Sequence, residues 1–196
     1  MYIYLAHLKD FPDSHLDSLK RTLSHEEIAR YLRFKRAERA KQFLIGRYLL
    51  RQQLALHLGI LPAEVPLVEQ ANNAPYLNLV GTKTPGFSIS HSREWVACGI
   101  RSDANIGLDI EVIDTQRDVL ALAAHSFNAQ QNSELYALTT EKQSDYFYRC
   151  WTALEAQLKL RMHCQDLRHL SHPQLAIAVC SDKAFAQTPE IIDVTE

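Results

Sequence analysis

Apolar side chains occupy alternate positions at Ile106, Leu108, Ile110 and Val112, with Asp109 and Glu111 between them. A period of two marks a strand, because successive side chains point to opposite faces. The apolar set needs a core on one face. The two carboxylates then project together from the other, close enough to repel and to raise each other's pKa. A divalent cation or a basic partner relieves that repulsion; a solvated face on which the acids act independently also accommodates them.

The remaining pattern mixes helix and strand. Residues 2–8 alternate weakly and suit an opening strand. Ser24 with Glu27 forms a capping box ahead of a helical stretch running, with a break near Lys35, to about Leu58. Gly59 stops it, and Pro62 and Pro66 lie beyond. A polar, turn-rich passage over 67–86 contains Asn72-Asn73 and Pro85-Gly86. Strands are expected at Phe87–Ser90, Trp95–Ile100 and Ile106–Ile113, the last two joined as a hairpin by Ser102-Asp103-Ala104-Asn105. Asn128 with Gln131, and Thr140 with Gln143, read as caps of two further helices, and Leu175, Ile177 and Val179 as a closing strand. In the second helix Phe147, Trp151, Leu154 and Leu158 recur as one buried stripe, and Glu155 and Lys159 stand one turn apart on a shared face. A surface ion pair accounts for those two residues. Each half reads as strand, helices, strands. The expectation is an α+β fold, one chain unit over 1–196 with pseudo-duplicated halves of about 1–101 and 102–196, and a site in the cleft between them.

Charge narrows the function. Among 196 residues, 21 Lys and Arg face 23 Asp and Glu. So balanced a chain has no global field for non-specific nucleic-acid binding, and no run approaches the roughly 18 apolar residues of a membrane span. Neither partner is expected. The N-terminus has no basic-then-apolar leader, and Cys98, Cys150, Cys164 and Cys180 form no CxxC pair, so free thiols and a cytoplasmic location are expected. Residues 30–51 depart from the balance: Arg30, Arg33, Lys35, Arg36, Arg39, Lys41, Arg47 and Arg51 stand against a single acid, Glu38. Arg36, Arg47 and Arg51 share a face if the helix is continuous; Arg47 and Arg51 equally suit anchoring of helix to sheet. Asp109, Glu111 and Glu155 offer three hard oxygen donors without a nearby His or Cys, which favours Mg²⁺ over Zn²⁺.

Four motifs in order then carry a resemblance: Arg33-Phe34 with Gly46–Arg51; Phe87-Ser88-Ile89-Ser90-His91-Ser92 with Trp95; Gly107-Leu108-Asp109-Ile110-Glu111; and Phe147 to Lys159. Over about residues 24–160 the chain resembles the 4′-phosphopantetheinyl transferases of the surfactin-synthetase-activating type. The resemblance implies that family's fold. It also implies an enzyme that moves the phosphopantetheine arm of coenzyme A onto a serine of an acyl or peptidyl carrier protein and releases 3′,5′-ADP. It further implies a catalytic set of Asp109, Glu155 and Lys159, with Asp109, Glu111 and Glu155 holding Mg²⁺ on the diphosphate and Lys159 on a phosphate oxygen. Ser90 and His91 would contact coenzyme phosphates, Arg30 the nucleotide's 3′-phosphate, and Asn73 and Pro75 the adenine side. The basic stretch would meet a multiply charged coenzyme and an acidic carrier, and the protein would act as a monomer. A non-catalytic relative that binds coenzyme A or a carrier is the alternative. Three positions depart from the family pattern. Leu154 and Ala74 stand where it carries Lys, and Gln131 where it places an acid proposed as base. Glu134, Glu155 or a metal-bound water could then take the base's part.

Overall fold

The computed structural model describes residues 1–70, 73–79 and 84–195; Asn72 of the expected turn lies outside the described residues. In chain order the elements are β1 (Tyr2–His7), α1 (Leu16–Lys20), α2 (His25–Tyr31), α3 (Ala37–Leu58), β2 (Leu67–Val68), β3 (Tyr76–Leu77), β4 (Gly86–Ser92) and β5 (Trp95–Arg101). There follow β6 (Ile106–Val112), α4 (Val119–Ser126), α5 (Ala129–Ala137), α6 (Thr140–Leu160), β7 (Asp166–Leu170), β8 (Leu175–Ser181) and β9 (Glu190–Asp193). In the first sheet β5 lies between β4 and β1, antiparallel to both, while β9 pairs parallel with β1. In the second, β8 lies between β6 and β7, antiparallel to both. Both sheets share one connectivity: a strand, a long helix, a second strand, and a third that returns between the first two. Helix α3 packs on β4 and β5, and α6 on β6 and β8. The chain is α+β. No helix among the described residues is long and apolar enough to cross a membrane, and the four cysteines are free.

Two local expectations are corrected. The strands flanking Ser102–Asn105 do not pair; β5 stays in the first sheet and β6 opens the second. The tight hairpin is β4–β5, turning at Arg93 with φ of 46°. The expected break near Lys35 is present: α2 ends at Tyr31 and Arg36 is extended (φ −100°, ψ 123°), so Arg36 shares no helix face with Arg47 and Arg51. Arg51, 1% exposed, bonds Glu27 at 2.7 Å and the carbonyls of Pro62 and Val65; it anchors α3 rather than meeting a ligand. Helix α6 is preceded by Thr139, not Thr140, as its cap position.

The stripe expected on α6 is also displaced. Phe147 is buried but Leu158 is 62% exposed, and the buried positions are Tyr148, Thr152, Ala156 and Leu160. The cause is close approach. A Cβ placed on Gly107 of β6 would lie 1.9 Å from the Ala156 carbonyl oxygen. At that spacing only small side chains fit beneath the middle of the helix, whatever their hydrophobicity.

The two sheets are joined by hydroxyls. Ser88, Ser90 and Ser92, alternate residues of β4, are all buried. Their Oγ atoms accept the backbone N–H groups of Leu108 (3.0 Å), Ile110 (3.2 Å) and Val112 (3.0 Å) in β6. Side chains thus satisfy an edge that would otherwise leave buried donors unpaired. Ser88→Ala orphans the Leu108 N–H and is expected to lower stability by about 1–2 kcal/mol, read as a lower urea midpoint at unchanged m-value.

Candidate active site

The β4–β6 seam also carries the acids. Asp109 is 5% exposed. Its Oδ1 accepts from the Ser90 hydroxyl at 2.8 Å and from Lys159 Nζ at 2.7 Å. Lys159 donates as well to Ser90 Oγ (2.9 Å) and the Leu108 carbonyl (3.1 Å). Asp109 Oδ2 is buried and has no hydrogen-bond partner. Glu111 Oε2 accepts from the Ser92 hydroxyl at 2.7 Å. Burial pushes the Glu111 carboxyl above its ordinary pKa, and the Asp109 charge adds to this against the opposing Ser92 and Trp151 hydrogen bonds.

Helix α6 runs antiparallel along β6. Gly107 abuts Ala156 and Leu160, Asp109 meets Lys159, Glu111 meets Trp151, and the Asp114 N–H donates to Tyr148 Oη at 3.0 Å. Trp151, Glu155 and Lys159 are spaced four apart and lie along one side of the helix. Glu155, half-buried, therefore stands on the stripe between the residue that meets Glu111 and the residue that meets Asp109. Lys159 pairs across elements with Asp109, not with Glu155 one turn away.

These residues bear on a metal as follows. Among the described residues no three His, Cys, Asp or Glu side chains form a ready-made cage. An ammonium holds Asp109 Oδ1 and a hydroxyl holds one Glu111 oxygen. What the seam offers is a buried carboxylate oxygen without a partner, a neighbouring acid whose charge is disfavoured, and a third acid on the facing helix. Such an all-oxygen set fits a small hard dication that keeps several of its own waters.

Beside the acids opens a cleft of about 490 Å³. Arg30, Arg39 and Arg47 line one wall, Asn73, Ala74 and Pro75 another, with His91 on β4 and Lys159 and Arg161 at the end of α6. The cleft gathers five of the expected coenzyme residues: Arg30, Asn73, Pro75, His91 and Lys159. Ser90 is not among its lining; 3% exposed, its hydroxyl is committed to Asp109, Lys159 and the Ile110 N–H. The other two departures lie elsewhere. Gln131 and Leu154 line a separate cavity of about 500 Å³ with Glu134. Gln131 there closes the capping box of α5 with Asn128, and Glu134 accepts from the Tyr146 hydroxyl. A third cavity of about 540 Å³, bounded by Asp145, Arg149, His169 and His172, holds none of the expected site residues.

Electrostatics in the cleft are one-sided. Arg30 and Arg47 share the Glu69 carboxylate. Arg39 stacks over the Phe34 ring at 5.2 Å, and burial, then the charges of Arg30 and Arg47, push its pKa down. The His91 ring reaches solvent at the cleft mouth, yet the surrounding walls desolvate it. That desolvation, with Arg39 and Lys159 acting in the same direction, pushes its pKa down to about 4, and the imidazole is neutral at pH 7. An unfolded histidine titrates near ~6.5, so between these values the unfolded chain binds more protons. This share of stability is fully present above about pH 6.5 and is lost as pH falls toward 4. The urea midpoint of the protein is expected to drop more steeply over that interval than that of His91→Gln.

Cations on its walls, with the Asp109–Lys159 pair at its side, suit this cleft to a ligand bearing several phosphates. Known proteins similar to this chain give its family. Residues 12–102 match the family description "4′-phosphopantetheinyl transferase, N-terminal", and residues 105–191 match "4′-phosphopantetheinyl transferase superfamily". The two matches meet in the connection between the sheets. The 4′-phosphopantetheinyl transferase psf-1 of Bacillus pumilus is 31% identical over 165 residues, 82% of this chain and 68% of the relative. HetI of a Nostoc species is 33% identical over 151 residues, 76% of this chain and 64% of the relative. Sfp of Bacillus subtilis is 29% identical over 153 residues, 72% and 66% respectively. The chain belongs to the 4′-phosphopantetheinyl transferase family. Its match to HetI spans less than two thirds of that protein's length.

Of the cleft residues, Arg39 was visible in the sequence only as a member of the basic stretch, Arg47 also as part of the Gly46–Arg51 motif, and Arg161 carried no signal.

Proposed function

We propose that this protein transfers the 4′-phosphopantetheine arm of coenzyme A to a serine of an acyl or peptidyl carrier protein, with Mg²⁺, and releases 3′,5′-ADP. One observation carries the reading: Arg30, His91 and Lys159 converge on a single cleft beside the buried Asp109 carboxylate. Phosphoryl transfer asks little covalent chemistry of a protein. It asks for positioning and for neutralisation of charge on the phosphate oxygens.

The residues divide that work. Arg30, Arg39 and His91 bind the nucleotide phosphates. Lys159, fixed by Asp109, Ser90 and the Leu108 carbonyl, directs its ammonium at the diphosphate. Asp109, Glu111 and Glu155 would hold Mg²⁺, which supplies Lewis-acid stabilisation of the diphosphate when bound. The carrier serine oxygen bonds to the phosphorus next to the pantetheine arm. The bond from that phosphorus to the bridging oxygen breaks, and the electron pair leaves with 3′,5′-ADP. The serine proton goes to Glu155, the acid on the α6 stripe between Trp151 and Lys159; Glu134 lines a separate cavity and is held there by the Tyr146 hydroxyl.

The test is incubation with coenzyme A, Mg²⁺ and a panel of apo carrier proteins, followed by weighing the carriers. Gain of one phosphopantetheine is expected. If no carrier gains it while a known transferase modifies the same panel, the catalytic reading fails. Coenzyme binding without transfer would then support the non-catalytic alternative that Leu154, Ala74 and Gln131 favour.

A further inference from the structure

We propose that Arg161 is a ligand-binding cation of the cleft, directed at the coenzyme's phosphates and contributed by the end of α6 in place of the lysine absent at 74. The inference rests on the coenzyme reading of the cleft and adds to it a residue that no motif marks.

Arg161 ends α6 in the left-handed conformation, with φ of 57° and ψ of 17°, its N–H bonded to the Gln157 carbonyl. That backbone is disfavoured for any residue with a Cβ and is the usual place of glycine. The corresponding helix of the first half shows the contrast. Helix α3 ends at Gly59 with φ of 69°, and a Cβ there would meet nothing within 4 Å. Two helix ends share one backbone solution, and only one keeps a long cationic side chain. Where a strained position carries such a side chain, the side chain is the place to look for a reason.

What the side chain does follows from its surroundings. The Arg161 guanidinium lines the cleft and donates to Asn73 Oδ1 at 3.2 Å, bridging α6 to the 73–75 turn of the other half. Ala74, beside that contact, brings no charge to the cleft. Arg30 and Arg47 share the Glu69 carboxylate, and Lys159 pairs with Asp109. Among the described residues no carboxylate pairs with Arg161. It is therefore one of the least compensated charges on the cleft wall, and it is exposed to solvent.

Three variants separate charge from structure. Arg161→Gly removes the charge and suits the left-handed backbone. Arg161→Ala removes the charge and keeps the strain. Arg161→Lys keeps both charge and strain. Calorimetric titration with coenzyme A at low and high salt, thermal melting, and steady-state transfer kinetics are the readouts. Arg161→Gly is expected to melt no lower than the parent protein. Its coenzyme A affinity is expected to fall about tenfold, with a matching rise in KM, kcat within about twofold and a shallower salt dependence. Arg161→Lys should recover much of the affinity. The assignment is overturned if Arg161→Gly binds coenzyme A as tightly as the parent, or if Arg161→Lys loses as much as Arg161→Gly. If the parent protein itself binds no coenzyme A, the functional reading falls and takes this assignment with it; that result is distinct from a parent that binds and a variant that binds equally.

Discussion

Asp109→Asn is expected to lower the rate of carrier modification by at least 10²–10³-fold, on the order found when one preorganised electrostatic group is removed from an active site. The substitution is nearly isosteric. Asn can still accept from the Ser90 hydroxyl and from Lys159 at the Oδ1 position, so the seam between β4 and β6 keeps its hydrogen bonds. Lys159 is 31% exposed in its side chain and retains the Ser90 and Leu108 acceptors, which lets its charge remain solvated. What is lost is the anion. The buried Oδ2, without a partner in the folded protein, becomes an NH₂ donor or faces one, and neither binds a cation. Two measurements check this. Transfer should fall while the far-ultraviolet circular dichroism spectrum is unchanged. Mg²⁺ should raise the melting temperature of the parent protein by mass action and leave that of Asp109→Asn unmoved. A variant that transfers at the parent rate would remove the carboxylate from the mechanism.

The position of Asp109 shows how far the sequence carried. Alternation from Ile106 specifies a strand with two acids on one face, and β6 (Ile106–Val112) ends one residue before the expected Ile113. Local chemistry was equally legible at Ser24 with Glu27, at Gly59, and at Asn128 with Gln131, because caps and left-handed glycines act within a few residues of themselves. Partner choice was not. Alternation says a strand needs neighbours but not which, so a polar four-residue link read as a hairpin where β5 and β6 part company. Ser88, Ser90 and Ser92 read as small polar positions on a strand; their use as side-chain acceptors for a second sheet is a property of the seam, not of β4. Lys159 offered a local acid at Glu155 and takes a distant one at Asp109. The edge strand β7, with Asp166, Arg168 and His169 among its five residues, has no buried face continuous enough to give a period. Arg161 is the clearest case. Only glycine announces a left-handed helix end in sequence, and here an arginine occupies one.

Gly107→Ala is expected to be the most destabilising of the substitutions considered, by about 4 kcal/mol or more, above the usual overpacking range of about 1–3 kcal/mol. The reason lies in what the added methyl group meets. Its carbon would stand 1.9 Å from the Ala156 carbonyl oxygen and 2.7 Å from the Leu160 nitrogen. Both are backbone atoms of α6, so no rotamer change relieves the clash; strand and helix must separate. Gly46 in α3 is the internal comparison. A Cβ there would lie 3.3 Å from the Ile89 Cγ2 atom, the end of a side chain that can turn aside. Gly46→Ala should accordingly cost far less, and the gain in helix propensity opposes even that. Urea titration of the two variants tests the difference directly. Separation of β6 from α6 also draws Lys159 away from Asp109, because one of those residues is on each element. Gly107→Ala should therefore lose transfer activity even at temperatures where a folded fraction persists, whereas a purely global loss of stability would leave activity in proportion to that fraction. If Gly107→Ala melts with the parent protein, the close contact between strand and helix is wrong, and with it the reason that Thr152 and Ala156, rather than Leu154 and Leu158, lie beneath α6.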